Sequence, residues 1–157
     1  VSDKSTVIQG KTEANAQVSA KAKGKTIASG KANGKGEYKL KISRQKAGTV
    51  ISVTAKDKAA NISKATDVTV LDKTPPSAPK VNPVTNKSTA VKGKAEANAA
   101  IIVKSGKKTI GTGKADKKGA FFVKIKKQKA NTVLAVTAKD KAGNTSKVSK
   151  IKVKKAK

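Results

Sequence analysis

The side chains of this 157-residue chain that could do chemistry are overwhelmingly lysines: 37 Lys plus Arg stand against 9 Asp plus Glu, a formal charge of +28, and Arg occurs once, at Arg44. His and Cys are both absent. Without them the usual general bases, nucleophile dyads and transition-metal ligands are missing. Cysteine zinc sites, disulfides and thiol redox chemistry are excluded as well. Ser and Thr are plentiful, but no base stands ready to activate one. No catalytic residue, metal site or cofactor is therefore assigned, and the chain reads as a non-enzyme.

What lysine offers is attraction to anions. Apolar and lysine residues alternate along the chain, so that Lys92 and Lys94, Lys124 and Lys126, and Lys150, Lys152 and Lys154 fall on the faces opposite the apolar ones. Such rows bind phosphate polymers through counterion release, with affinity falling steeply as salt rises. The competing reading is an ordinary solvated face with edge-protecting lysines, and a lysine excess also fits a genome with A-rich codons. Base readout leans on bidentate Arg and single-strand binding on stacking aromatics, whereas the only aromatics are Tyr38, Phe121 and Phe122. Sequence-specific nucleic-acid recognition is not expected; loose attraction of ammonium groups to phosphates is. Phe122 breaks the outward pattern of its segment and reads as a lone surface apolar residue.

Two further groups carry less. Asp57 with Asn61, and Asp140 with Asn144, could suggest a calcium loop, but calcium wants six to eight oxygens and several carboxylates. The immediate neighbours here are Lys56, Lys58, Lys139 and Lys141, so a turn in which the side chains bond their own backbone is expected. Gly34-Lys35-Gly36 and Gly111-Thr112-Gly113-Lys114 lack the spacing and context of a phosphate-cradling loop.

The elements that must hold these residues come in duplicate. Ser5 to Leu71 lies over Ser88 to Lys154 without a gap at an offset of 83, with roughly half of the pairs identical. Period-two alternation marks strands in Phe121 to Lys126 (Tyr38 to Ser43), Thr132 to Lys139 and Lys150 to Lys154 (Asp67 to Leu71). Weaker ones are expected at Thr89 to Lys94, Ala100 to Lys104 and Lys108 to Gly113. Leu134, Val136 and Ala138, with Ile51, Val53 and Ala55 in the first copy, form an inward set. Gly- and Asn-containing turns recur about every 8 to 12 residues, the spacing of a sandwich. Asp72 to Pro79 holds three prolines, a stiff stretch expected to stay out of any sheet. The expected organisation is therefore 1–71, a linker 72–80, and 81–157, with the domains roughly end to end. Charge is uneven: residues 1–71 hold 14 basic and 5 acidic residues (+9), residues 81–157 hold 21 and 3 (+18).

The order Asp72-Lys73-Thr74-Pro75-Pro76-Ser77-Ala78-Pro79, then Ser88 to Ala99, Lys108 to Gly119 and Val136 to Ser146, resembles the bacterial immunoglobulin-like repeats of secreted and surface proteins of Gram-positive bacteria. It covers nearly the whole chain. The resemblance implies an all-β fold of two tandem Greek-key sandwiches of the cysteine-free type. The first copy departs from the pattern at Ala60 (Gly143) and Ile62 (Thr145), and it lacks a counterpart of Val81-Asn82-Pro83-Val84, so its first strand is expected to be cut away. The chain opens inside the first repeat, as a piece of a longer protein would. No apolar run approaches the ~18 residues of a membrane span, so no membrane insertion is expected.

The resulting expectation is a monomeric, non-catalytic attachment module of a cell-wall-associated protein. It would be retained on an anionic wall polymer of the teichoic-acid kind by Lys92, Lys94, Lys124, Lys126, Lys150, Lys152 and Lys154. The alternatives are a purely structural spacer for a catalytic or adhesive domain, and non-specific binding of nucleic acid or anionic glycan.

Overall fold

The computed structural model describes all residues from Val1 to Lys157, in thirteen strands without a helix. The chain divides into two units, Val1–Thr74 and Pro75–Lys157. The first contains β1 (Val7–Lys11), β2 (Gln17–Ala22), β3 (Lys25–Lys31), β4 (Glu37–Lys41), β5 (Val50–Lys56) and β6 (Thr66–Thr69). The second contains β7 (Lys80–Val81), β8 (Ala90–Lys94), β9 (Ala100–Ser105), β10 (Lys108–Lys114), β11 (Ala120–Lys124), β12 (Val133–Lys139) and β13 (Ser149–Lys152). Both bounds of every strand from β1 to β6 recur 83 residues later in β8 to β13. Strand β7 has no such counterpart.

Each unit is an antiparallel sandwich. The first packs β1-β4 against β3-β2-β5-β6, and the second packs β7-β8-β11 against β10-β9-β12-β13. Alternation explains the pairing of faces: Phe121, Val123 and Ile125 are buried while Phe122, Lys124 and Lys126 are exposed, and Leu134, Val136 and Ala138 are wholly buried. In the first copy Ile51 and Val53 take the same place, whereas Ala55 is only half-buried. Both cores are built almost entirely from Val, Ile, Leu and Ala, with Phe121 the one buried aromatic ring.

The proline-rich run is not a free-standing linker over 72–80. Its start is tied to the first unit, where Asp3 accepts from the Lys73 amide (3.0 Å) and from the Thr74 hydroxyl. Its end belongs to the second: the Ser149 hydroxyl donates to the Pro79 carbonyl, and Lys80–Val81 pair with Lys94 and Gly93. Proline removes only its own N–H, so a strand can begin immediately after it.

The loop after β12 carries the expected turn. Asp140 Oδ1 accepts from the Asn144 amide (2.9 Å) and Oδ2 from Asn144 Nδ2 (2.8 Å), and Asp57 and Asn61 repeat both bonds at 2.9 Å. The fourth residue of the loop sits in left-handed backbone, Gly143 at φ 92° and its counterpart Ala60 at φ 70°. Only the glycine does so without a steric penalty.

Candidate functional site

The outer face of β7-β8-β11 gathers part of the expected lysine patch. Antiparallel register sets Lys92 opposite Phe122, Lys94 opposite Ala120, and Lys124 opposite Ala90. These three lysines are exposed. Lys92 and Lys94 share a face two residues apart, and Lys124 stands diagonally across from Lys92, about 7 to 8 Å away at the backbone. Lys80, which the sequence reading placed in the linker, pairs with Lys94 from the other side and extends the row. Lys126 does not belong to it. It lies past the end of β11, beside Lys108, Thr109 and Gln128 in a cleft of about 440 Å³.

Phe122 is not a lone apolar residue. The Lys92 ammonium sits 5.3 Å from its ring centroid, a cation–π contact that shields part of the half-exposed ring and pins the lysine over the sheet.

Lys150 and Lys152 are exposed on the outer face of the other sheet, opposite Ala135 and Val133. Lys154 follows β13, with its amide bonded to the Val84 carbonyl and its side chain exposed. The expected lysines are therefore divided: Lys92, Lys94 and Lys124 lie on one outer face, Lys150 and Lys152 on the other, and Lys126 and Lys154 past the ends of their strands. This second face also holds lysines the sequence reading missed. Lys104 and Lys150 flank Ala135, and Lys114 and Lys139 flank Ala100, each pair two strand spacings or about 10 Å apart. Nothing local marks such pairs, because β9, β12 and β13 are adjacent only after folding.

Strand direction also sorts charge along the unit. Glu96, Asp116 and Asp140, the only carboxylates between residues 81 and 157, lie in the three loops at one end, where the Asn98 amide bonds the Asp116 carbonyl and Lys139 pairs with Ala100. The opposite end carries Lys87, Lys107, Lys108, Lys126, Lys127, Lys129, Lys154 and Lys155, with no carboxylate side chain. Residues directly across the ladders from Lys92, Lys94, Lys124, Lys150 and Lys152 are Phe122, Ala120 and Lys80, Ala90, Ala135 and Val133. None is acidic, so nothing on the ladders neutralises these ammonium groups.

The first unit differs at the same places. Gln9 stands for Lys92, Ser43 for Lys126, Asp67 for Lys150, Thr69 for Lys152 and Leu71 for Lys154. Asp67 accepts from the Ser52 hydroxyl at 2.6 Å, and Lys11 pairs with Glu37 at 3.6 Å. The carboxyl of Asp57 is held below the usual carboxylate range, first by the Asn61 side-chain amide and then by its backbone N–H. At Asp140 desolvation pushes upward, but the bonds from Asn144 and the neighbouring backbone outweigh it and the net direction is again down. Both oxygens of each carboxylate thus serve the turn.

Comparison with known proteins agrees with this architecture. A family model described as a bacterial Ig domain matches residues 1–72 and again 75–155. A cell wall-associated protease of Bacillus subtilis (strain 168) is 46% identical over 132 residues, which is 83% of this chain and 14% of that protein. The chain thus spans about one seventh of the length of this relative. Among solved structures, Rst D1-D2 superposes with a TM-score of 0.56 at 12% identity, over 96% of this chain and 91% of that one. The BSP domain of a biofilm-associated protein gives a TM-score of 0.48 at 22% identity, over 99% of this chain and 28% of that one.

Proposed function

The chain belongs to the bacterial Ig domain family, a non-catalytic fold, and from that premise we propose that it is an attachment module, without activity of its own, of a larger protein held at the bacterial cell wall. Its second unit would meet an anionic wall polymer of the teichoic-acid kind through lysine. The observation that carries this reading is the distribution of charge: lysines with no facing carboxylate on both outer faces and at one end, and all three carboxylate side chains in the loops at the other, where Lys117, Lys118, Lys141 and Lys147 also lie. Lysines whose backbones stand about 5 to 10 Å apart on a sheet suit a flexible chain of phosphates, which needs charge density and no fixed geometry. The wall association of the Bacillus relative agrees with a cell-surface location.

Retention on purified walls, with and without their teichoic acid, tests the reading. Retention should fall when the polymer is stripped, fall again as salt rises, and fall on changing Lys92, Lys94, Lys124 and Lys126 together to Glu. Equal retention on both wall preparations, or no dependence on salt, rejects it. The second reading, a spacer that holds another domain away from the surface, is favoured by the duplicated scaffold, whose strand bounds repeat without a gap while the surface charge does not. A spacer would keep its parent's localisation after the four reversals.

A further inference from the structure

The turn between β3 and β4 holds the only Asn-Gly pair in the chain, Asn33-Gly34. Each of the other seven asparagines precedes a residue with a Cβ, which crowds the backbone nitrogen that follows the asparagine. At Asn33 that nitrogen is bare. Asn33, Gly34 and Lys35 are all exposed, and the Gly34 N–H has no hydrogen-bond partner in the chain. The neighbouring carboxamide is fixed. Its Oδ1 accepts from the Lys35 and Glu37 amides, each at 2.9 Å, and its Nδ2 donates to Glu37 Oε2 at 3.3 Å. Bonding to the amide two residues on folds the side chain back along the Asn33-Gly34 peptide. Two backbone donors aimed at one carbonyl oxygen also stabilise negative charge that develops on it.

We infer that Asn33 is a self-modification site, at which attack by the Gly34 nitrogen expels the amide group and leaves aspartate or isoaspartate in the turn. The Gly34 nitrogen gives its proton to hydroxide and attacks Asn33 Cγ; the N–Cγ bond forms and the charge passes to Oδ1, where the Lys35 and Glu37 amides receive it. The Cγ–Nδ2 bond then breaks, and Nδ2 takes a proton from water and departs as ammonia. Water opens the resulting cyclic imide at one of its two carbonyls. Opening at Cγ gives aspartate, and opening at the backbone carbonyl gives isoaspartate, with one more methylene in the main chain. The second unit shows the same turn built with aspartate. Asp116 is the counterpart of Asn33, and its Oδ1 accepts from the Lys118 and Ala120 amides at 2.8 and 2.9 Å. Glu37 stands where Ala120 does, but its exposed carboxylate already reaches Lys11 at 3.6 Å and can turn from a new neighbour. Isoaspartate is different. It displaces the Asn33 N–H and C=O, which bond Glu37 O, Asn15 N and Gly36 N.

The test incubates the full chain in mildly alkaline buffer at physiological temperature. Peptide mass spectrometry, with fragmentation that separates aspartate from isoaspartate, follows all eight asparagines. Residue 33 should convert at least about tenfold faster than any other, and faster as pH rises, because the nucleophile is the deprotonated amide. Gly34→Ala should slow it at least about tenfold. That variant should fold, since a Cβ at Gly34 meets nothing within 4 Å and the backbone there is not left-handed. Tyr38 is the only tyrosine and there is no Trp, so tyrosine fluorescence reports the first unit alone. By this signal Asn33→Asp, which stands for one product, should move the unfolding midpoint by less than about 4 °C. The proposal is overturned if residue 33 converts no faster than the other asparagines, or if Gly34→Ala leaves its rate unchanged. It is equally overturned if conversion begins only once urea has unfolded the first unit, which would mean that the native turn shields the residue.

Discussion

Adding one methyl group at Gly93 should uncouple the edge strand of the second unit, while the same change at Gly10 should be nearly silent. A Cβ on Gly93 would lie 2.1 Å from the Lys80 carbonyl oxygen and 2.8 Å from the Phe121 ring. Ordinary contact needs about 3.4 Å, so β7 must retreat by more than about 1 Å, too far for a hydrogen bond to survive. The Asn82–Lys92 bond of 2.9 Å and its neighbours on the ladder are then lost. Two or three such bonds at about 1 kcal/mol each, with about 1 kcal/mol for exposing half-buried Val81, outweigh the gain of about 0.5–1 kcal/mol from a less flexible unfolded chain. The net loss is about 2–3 kcal/mol. At Gly10 the added Cβ meets only the tip of Tyr38, with the hydroxyl at 2.6 Å, and that ring can swing outward because no strand lies over it. Gly10→Ala should therefore change stability by less than about 1 kcal/mol. Scanning calorimetry of the full chain, with tyrosine fluorescence to identify the first unit, measures both. Gly93→Ala should lower the midpoint of the second unit by roughly 10 °C or more, at 4–8 °C per kcal/mol for a unit of this size. Equal effects of the two substitutions would refute the reasoning, since they would mean that β7 contributes nothing to its sheet.

Ala60→Gly should stabilise the first unit by about 0.5–1 kcal/mol, because Ala60 adopts φ 70° where the second unit uses glycine; urea unfolding followed at Tyr38 measures it. Folding lowers the carboxyl pKa of Asp57 and Asp140. Their ionised forms therefore support the fold above the unfolded value of about 4, and that support is lost as pH falls through the lower folded values. Asp57→Asn with Asp140→Asn should flatten the acid limb of a thermal-stability profile and leave its dependence above pH about 6 unchanged. Asp67→Lys copies Lys150 into the first unit and removes the carboxylate that Ser52 engages. It should steepen the dependence of polyphosphate binding on log salt by about 0.7 per added contact, as measured by titration across a salt series.

The alternation of apolar residues with lysine was sufficient to orient the strands, because a strand's two faces are set by a period of two and one face had to be buried. It was sufficient as well for the Asp-Asn turns, whose partners lie four residues apart. It failed where the relevant neighbour is distant or weakly marked. Lys80 follows three prolines and reads as linker, yet its backbone pairs with Lys94, and only that pairing brings its charge onto the sheet. Lys126 keeps the outward parity of Lys124 but falls beyond the last paired residue of β11, so parity alone put it in a row to which it does not belong. Phe122 carried no local sign of a partner, because Lys92 lies thirty residues away and reaches the ring only through the β8–β11 register.

By itself the sequence determined that there are two copies of one sandwich, which faces are apolar, that the usual catalytic groups are missing, and that the second copy carries twice the charge of the first. These properties follow from composition, period and repeat, all of which are local or additive along the chain. Tertiary structure alone decided which lysines share a face and that the three loops bearing the carboxylates gather at one end. Each of these depends on which strands become neighbours, and hydrogen-bond register between distant segments sets that.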